Sequence, residues 1–213
     1  MTTTLTPELL LSAYANGVFP MAEHRDDDDV FWVDPRHRGI LPLDAFHISR
    51  SLRKTIRSNR FRVTFDQDFD GVVTGCATRD ETWINDMLTD LYGQLHRGGV
   101  AHSVEVWDGE TLVGGVFGIA LGGAFFGESM FSTRTDASKL ALAYLVDRLR
   151  VGGFTLFDTQ FITPHLASLG GLEISRAAYR ASLSAALKED AAFDRQGSVT
   201  DPYSLLQRNA QTS

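Results

Sequence analysis

Apolar residues recur at helical spacing over residues 9–15, 49–59, 69–76 and 86–97, whereas beyond Gly98-Gly99 they alternate with polar ones at the two-residue period of strands. The first helix carries its own start signals, Thr6 as cap and Pro7 at the first position, and Gly17 as its stop. Residues 17–32 read as a loop, followed by extended segments at 31–36 and 39–43 punctuated by Pro35 and Pro42. FRVTFD at 61–66 is a predicted strand. HSVEVW, TLVGGVFGIAL and AFFGESMF are then separated by Asp108-Gly109 and Gly122-Gly123, which predicts an antiparallel meander. A helix over 136–150, a strand over 154–160, a short helix over 164–169 opened by Thr163-Pro164, and a helix near 176–187 complete the order. Roughly the last twenty residues are polar and read as irregular. Strands of the meander followed by helix, strand and helix predict an α+β fold with an acyltransferase-like sheet.

Composition narrows the setting. The single cysteine, Cys76, excludes an internal disulfide and suits a reducing compartment. The start MTTTLTPELLL has no basic region leading into an apolar core, so no secretion signal is expected. The one long uncharged run, 111–127, contains six glycines and reads as strands, not as a membrane span. A cytoplasmic protein without a membrane partner follows. The net charge of −7 speaks against a nucleic-acid partner, but the charge is unevenly placed. Residues 36–62 hold eight Lys/Arg against one acid, Asp44, which predicts a dipolar surface with an anionic partner at one end. In the helix over 49–59, Arg50, Arg53, Lys54 and Arg57 share one face, opposite Leu52 and Ile56. That face is either a seat for a phosphate backbone or simply a solvated helix surface.

Candidate chemistry sits in two strands. In 154–160 the alternate positions Phe154, Leu156, Asp158 and Gln160 fall on one face that turns from apolar to polar, which brings Asp158 and Gln160 together at the carboxyl edge of a sheet. In AFFGESMF, Glu128 lies among Phe125, Phe126, Met130 and Phe131, and a carboxylate there must be paired or used. Ser129 lacks the second glycine of a nucleophile elbow. The six histidines show no HExxH spacing, and the run from Asp26 to Asp29 lacks the alternation of a calcium loop, so no metal is expected. No cofactor pattern is present either. Trp32 and Trp83 are candidates for stacking on a base or for packing in the core.

Ten short segments, taken in order, resemble the leucyl/phenylalanyl-tRNA-protein transferases of bacteria. They include Gly17-Val18-Phe19-Pro20, Trp32 with Asp34-Pro35-Arg36, His47-Ile48-Ser49-Arg50-Ser51, Thr82-Trp83-Ile84, Gly127-Glu128-Ser129-Met130-Phe131-Ser132, Asp158-Thr159-Gln160 and Ser168-Leu169-Gly170. The chain departs from the family pattern in starting close to TPELLLSAY and in the residues after Gln160. The resemblance implies a small N-terminal α/β domain, over residues 1–62 with the basic helix, and a C-terminal catalytic domain with a GNAT-like mixed sheet flanked by helices over 63–213, the boundary falling between 60 and 100. It implies transfer of Leu or Phe, and Met less well, from aminoacyl-tRNA to the N-terminal Arg or Lys of acceptor proteins, which marks them for degradation. It also supports Asp158 and Gln160 as catalytic residues, and a substrate pocket formed by Phe125, Phe126, Met130 and Leu140 with Glu128 at its rim and Ser129 beside it. Trp32, Trp83, Arg50, Arg53, Lys54 and Arg57 would meet the tRNA, and a monomer is the expected state. Two rivals remain open. An acyl-CoA-dependent N-acetyltransferase would need a glycine-rich loop where the chain has FSTRTDASK, and an RNA-binding module would leave Glu128 and Asp158 unexplained.

Overall fold

The computed structural model describes residues 5–27, 29–78, 82–197 and 201–210. Helix α1 (Pro7–Ala15) begins as its signals require, with the Thr6 hydroxyl accepting from the Leu9 N–H at 3.2 Å. Strands β1 (Phe19–Met21) and β2 (Phe31–Val33) pair antiparallel, so the loop expected over 17–32 contains a strand. Their connection carries the acidic run, of which Asp28 lies outside the described residues. Next come β3 (His37–Ile40), α2 (Arg50–Ser58), β4 (Arg62–Phe65), α3 (Phe69–Ala77) and α4 (Asp86–Arg97). Helix α2 is closed at both ends by its own sequence: Ser49 caps the Leu52 N–H, and Asn59 turns left-handed at φ 48.

The meander forms as β5 (Ala101–Asp108), β6 (Thr111–Leu121) and β7 (Ala124–Ser132). Helix α5 (Ala137–Gly152) crosses over to β8 (Leu156–Gln160), followed by α6 (Pro164–Ser168), β9 (Leu172–Ser175), α7 (Arg176–Ala186) and α8 (Pro202–Ala210). Seven strands make one sheet in the order β4-β5-β6-β7-β8-β3-β9. Every neighbouring pair is antiparallel except β7 with β8, the pair joined by the α5 crossover.

Each face of the sheet carries its own core. On one side Leu52 and Ile56 of α2, Leu140 and Leu145 of α5, and Leu205 of α8 pack together; on the other are Leu10 of α1, Val72 of α3, Leu88 of α4 and Tyr179 of α7. Residues on both sides of position 62 share this arrangement: β3 lies between β8 and β9, and α2 packs on α5 and α8. One expectation changes. Within the tail expected to be irregular, residues 202–210 are helical: Leu205 and Leu206 of α8 are buried, and the Asn209 amide donates to the Phe46 carbonyl at 3.0 Å. No helix among the described residues is long and apolar enough to cross a membrane.

Candidate active site

The parallel pair holds together for only three residues, Ala124↔Leu156 to Phe126↔Asp158, and then opens. Two local features open it. Gly118 faces Gly127 while Phe117 faces Ser129, so Glu128 is the extra residue of a bulge, a device that redirects a side chain. On β8, Gln160 takes φ 62, a left-handed conformation that costs a non-glycine residue about 1–2 kcal/mol. That turn lifts Phe161 out of the strand. It is held by the Gln160 N–H, which donates to Asp158 Oδ1 at 2.8 Å.

Asp158 is completely buried, and its carboxylate is fully engaged. Arg38 donates Nε to both oxygens at 2.9 and 3.1 Å and Nη2 to Oδ2 at 2.7 Å, and the Tyr179 hydroxyl donates to Oδ2 at 2.6 Å. The guanidinium lies 4.4 Å from the Phe19 ring centre and 4.5 Å from that of Tyr179, and its Nη1 donates to the Gly17 carbonyl at 3.0 Å. Burial works against the charge on Arg38, but the bonds to Asp158 outweigh it and leave the guanidinium bound to its proton more firmly than usual. Burial, and then the Asp158 charge, hold the Tyr179 hydroxyl protonated.

A second carboxyl shares this side of the sheet. Glu128 accepts from the Tyr92 hydroxyl at 2.9 Å and from Gln160 Nε2 at 3.1 Å, with the Tyr14 hydroxyl 3.4 Å from that of Tyr92. Burial pushes the Glu128 carboxyl up to about 7; donation from Tyr14, Tyr92 and Gln160 opposes the rise, and the Asp158 charge adds to it. Gln160 therefore joins the two acids, its backbone on Asp158 and its side chain on Glu128.

In the opening between β7 and β8 lies a cavity of about 180 Å³, smaller than the roughly 300–1,000 Å³ of drug-sized ligand sites and suited to a single side chain. Val116, Met130, Leu142, Phe157 and Leu166 supply apolar walls, while Glu128, Ser129 and Thr159 bring polar groups. Of the residues expected in a substrate pocket, Glu128, Ser129 and Met130 line this cavity. Phe125, Phe126 and Leu140 do not: Phe125 packs edge-on to Phe154 and Phe157, Phe126 against Tyr14, and Leu140 within the α5 core. The strand side chains alternate, so Phe125 faces α5 and Phe126 faces α1, one to each core. Phe154 also leaves the face expected for it, because β8 begins only at Leu156 and Phe154 packs with the α5 core.

Trp83 reaches the cavity wall, and Trp32 stands 42% exposed on β2. On α2, Arg50, Lys54 and Arg57 are exposed and Arg53 half-buried above buried Leu52 and Ile56, and none of the four cations is in an ion pair among the described residues. Elsewhere in the basic stretch Arg38 is interior and neutralised by Asp158, and exposed Arg60 pairs with Asp108 at 2.6 Å. Sequence reasoning missed Arg38, Tyr179, Tyr14 and Tyr92. A signal existed for Tyr92, which follows Leu88 by four residues on the buried face of α4, so its hydroxyl enters the core and needs a partner.

Comparison with known proteins converges with this geometry. The leucyl/phenylalanyl-tRNA protein transferase family matches residues 40–184, and the N-terminal domain of those proteins matches residues 3–36. The leucyl/phenylalanyl-tRNA–protein transferase of Cereibacter sphaeroides (strain ATCC 17029 / ATH 2.4.9) is 64% identical over 98% of each chain, and that of Ruegeria sp. (strain TM1040) is 64% identical over 99% of this chain and 100% of its own. Among solved structures, a crystal structure of FemX superposes with a TM-score of 0.52 at 13% identity, covering 78% of this chain and 66% of that one, a likeness of fold alone. With both parts of the family pattern matched in order and near-complete coverage of close relatives, the chain belongs to the leucyl/phenylalanyl-tRNA–protein transferase family.

Proposed function

We propose that the protein transfers Leu or Phe, and Met at lower rate, from aminoacyl-tRNA to the N-terminal Arg or Lys of acceptor proteins, creating a degradation signal. The observation that carries the site assignment is the small, mostly apolar cavity whose wall includes Glu128, the carboxyl that accepts from Gln160. The donor side chain fills the cavity, and the α-ammonium of the esterified residue is met by Glu128. A hydrophobic pocket separates side chains differing by one methylene by only about 1–3 kcal/mol, which is why Met passes.

The ester is already activated, so placement is the main task, and holding two reactants in attack geometry supplies roughly 7–11 kcal/mol. An α-amine of ordinary pKa, about 7.7–8.0, is partly neutral at physiological pH. Its nitrogen attacks the ester carbonyl, a C–N bond forms, the C–O bond to the terminal ribose breaks, and the proton lost by nitrogen ends on the ribose oxygen. Gln160 orients the amine: one of its two amide N–H groups is given to Glu128, and its carbonyl oxygen accepts no hydrogen bond among the described residues. Asp158 has no free lone-pair direction, so it works as a positioning residue that fixes the Gln160 turn. The four cations of α2 hold tRNA phosphates, and Trp83 with Trp32 stack on its terminal adenosine. The proposed working unit is a single chain in the cytoplasm.

An acyl-CoA donor is the poorer reading. Asp136 flanks the N-terminus of α5, where a pyrophosphate would bind, and puts a negative charge beside it, its carboxylate accepting from Thr55 at 3.0 Å and Lys139 at 3.3 Å. The test is incubation with charged Leu-tRNA or acetyl-CoA and a peptide beginning with Arg. The expected product is the peptide heavier by one leucine; acetylated peptide with no leucine transfer overturns the reading.

A further inference from the structure

Helix α8 has nine residues, too few to persist alone in water, so it is helical because of what it packs against. Leu205, Leu206 and Asn209 form its buried face, lodged against α2 and α5. On the α5 side the bonds are ionic and interior. Asp147, 5% exposed within α5, accepts from Arg208 Nε at 2.7 Å and Nη2 at 2.6 Å and from Gln196 Nε2 at 3.0 Å, and among the described residues its carboxylate accepts no other hydrogen bond. Arg148 Nη1 donates to the Gly197 carbonyl at 2.7 Å, and Arg150 donates to the Arg208 carbonyl at 3.3 Å. A buried carboxylate is costly unless paired, so Asp147 dictates where α8 sits. On the α2 side, Asn209 Nδ2 donates to the Phe46 carbonyl at 3.0 Å, just ahead of the helix, and Leu205 and Leu206 share a core with Leu52 and Ile56. Near the other end of α2, the Thr55 hydroxyl donates to Asp136, the residue that leads into α5. Helix α2 is thus tied to α5 directly at one end and through α8 at the other.

We propose that Arg208 and Asn209 are positioning residues for RNA docking: through α8 they fix α2, and with it the four cations of its exposed face, at the distance from the cavity that the donor must span. The inference rests on the docking of tRNA at α2 proposed above. Phosphate contacts set the register and orientation of a nucleic acid on a protein, so their value depends on where the cations stand relative to the reacting end. Arg50, Arg53, Lys54 and Arg57 lie on one helix and move together. A shift of α2 therefore displaces the RNA body as a unit while the cavity wall, to which neither Arg208 nor Asn209 contributes, keeps its shape. A donor made only of the esterified nucleoside carries no phosphates for α2 to hold, and is blind to α8.

The test compares two donors, Leu-tRNA and leucyl-adenosine, with an Arg-initiated peptide as acceptor, at a temperature where circular dichroism shows each variant folded. Arg208→Ala and Asn209→Ala each raise the KM for Leu-tRNA about three- to thirtyfold, the range for substitutions that act on a site without touching its ligand, and leave kcat/KM for leucyl-adenosine within about twofold. Arg208→Lys, which keeps a cation beside Asp147, loses less than Arg208→Ala. Asn209→Ala strands no buried charge and carries the test where Arg208→Ala does not fold. An unchanged KM for Leu-tRNA in the folded variants overturns the proposal, as does an equal loss with both donors, which is what a general loosening of the fold produces. Failure of the reading beneath it shows differently: alanine at all four α2 cations then leaves the wild-type KM for Leu-tRNA unchanged.

Discussion

Replacing Glu128 by glutamine keeps the shape of the side chain and removes its titration. In the unfolded chain this carboxyl ionises near the ordinary 4.5, and in the folded protein near 7, because burial disfavours the charged form. Below pH 4.5 both states hold the proton and the group makes no difference to stability. As pH rises between the two values, the unfolded chain releases its proton while the folded one retains it, so stability falls; above 7 the loss is complete. At about 1.36 kcal/mol per unit, the rise is worth about 3 kcal/mol. Urea unfolding of both proteins from about pH 4.5 to about pH 8 reads this directly: the stability difference between wild type and Glu128→Gln should move by about 3 kcal/mol in favour of the variant. A difference that stays constant within about 0.5 kcal/mol across that range would refute the claim that burial loads this carboxyl.

Breaking the Arg38–Asp158 pair from either side should cost about 3–5 kcal/mol, since it strands a buried charge, and the double replacement should cost less than the sum of the two; additive losses in thermal or urea unfolding would show that the pair is not coupled. In single-turnover assays Asp158→Ala should lower leucine transfer far more than tRNA affinity, and equal losses in both would argue against its hold on Gln160. Alanine at Arg50, Arg53, Lys54 and Arg57 together should flatten the dependence of tRNA affinity on salt by about 0.7–0.9 in logarithmic slope for each phosphate no longer neutralised, and an unchanged slope would place the docking face elsewhere. Leu142→Ala enlarges the cavity, so kcat/KM should shift toward Phe over Leu by roughly tenfold, with an unchanged ratio arguing that the donor side chain lies outside it.

Helices were legible from their apolar spacing, α4 to the residue and α2 within one, and the caps the structure shows there, Asn85, Ser49 and Asn59, act locally. So was the meander, whose turns are fixed by Asp-Gly and Gly-Gly pairs with Gly109 and Gly122 at positive φ. What stayed hidden depends on partners far along the chain. Strands β3 and β9 are four residues each and lack alternation of their own; their pairing, not their pattern, makes them strands. Asp158 was readable as a sheet-edge acid, but its saturation by Arg38, 120 positions earlier, was not. The same limit governed the cavity. Alternation placed Phe125 and Phe126 in β7 without saying which core each would enter, and Leu142 became a wall residue only through the packing of α5 on the sheet.

The placement of β3 between β8 and β9 means that a segment made early waits for two made late. While the ribosome is still extending the chain, Arg38 has no carboxylate to meet and β3 no neighbour on either side; contacts of such long sequence separation close slowly. The centre therefore waits for β8 and β9, and a nascent chain that stops short of them has no assembled site with which to act on its neighbours.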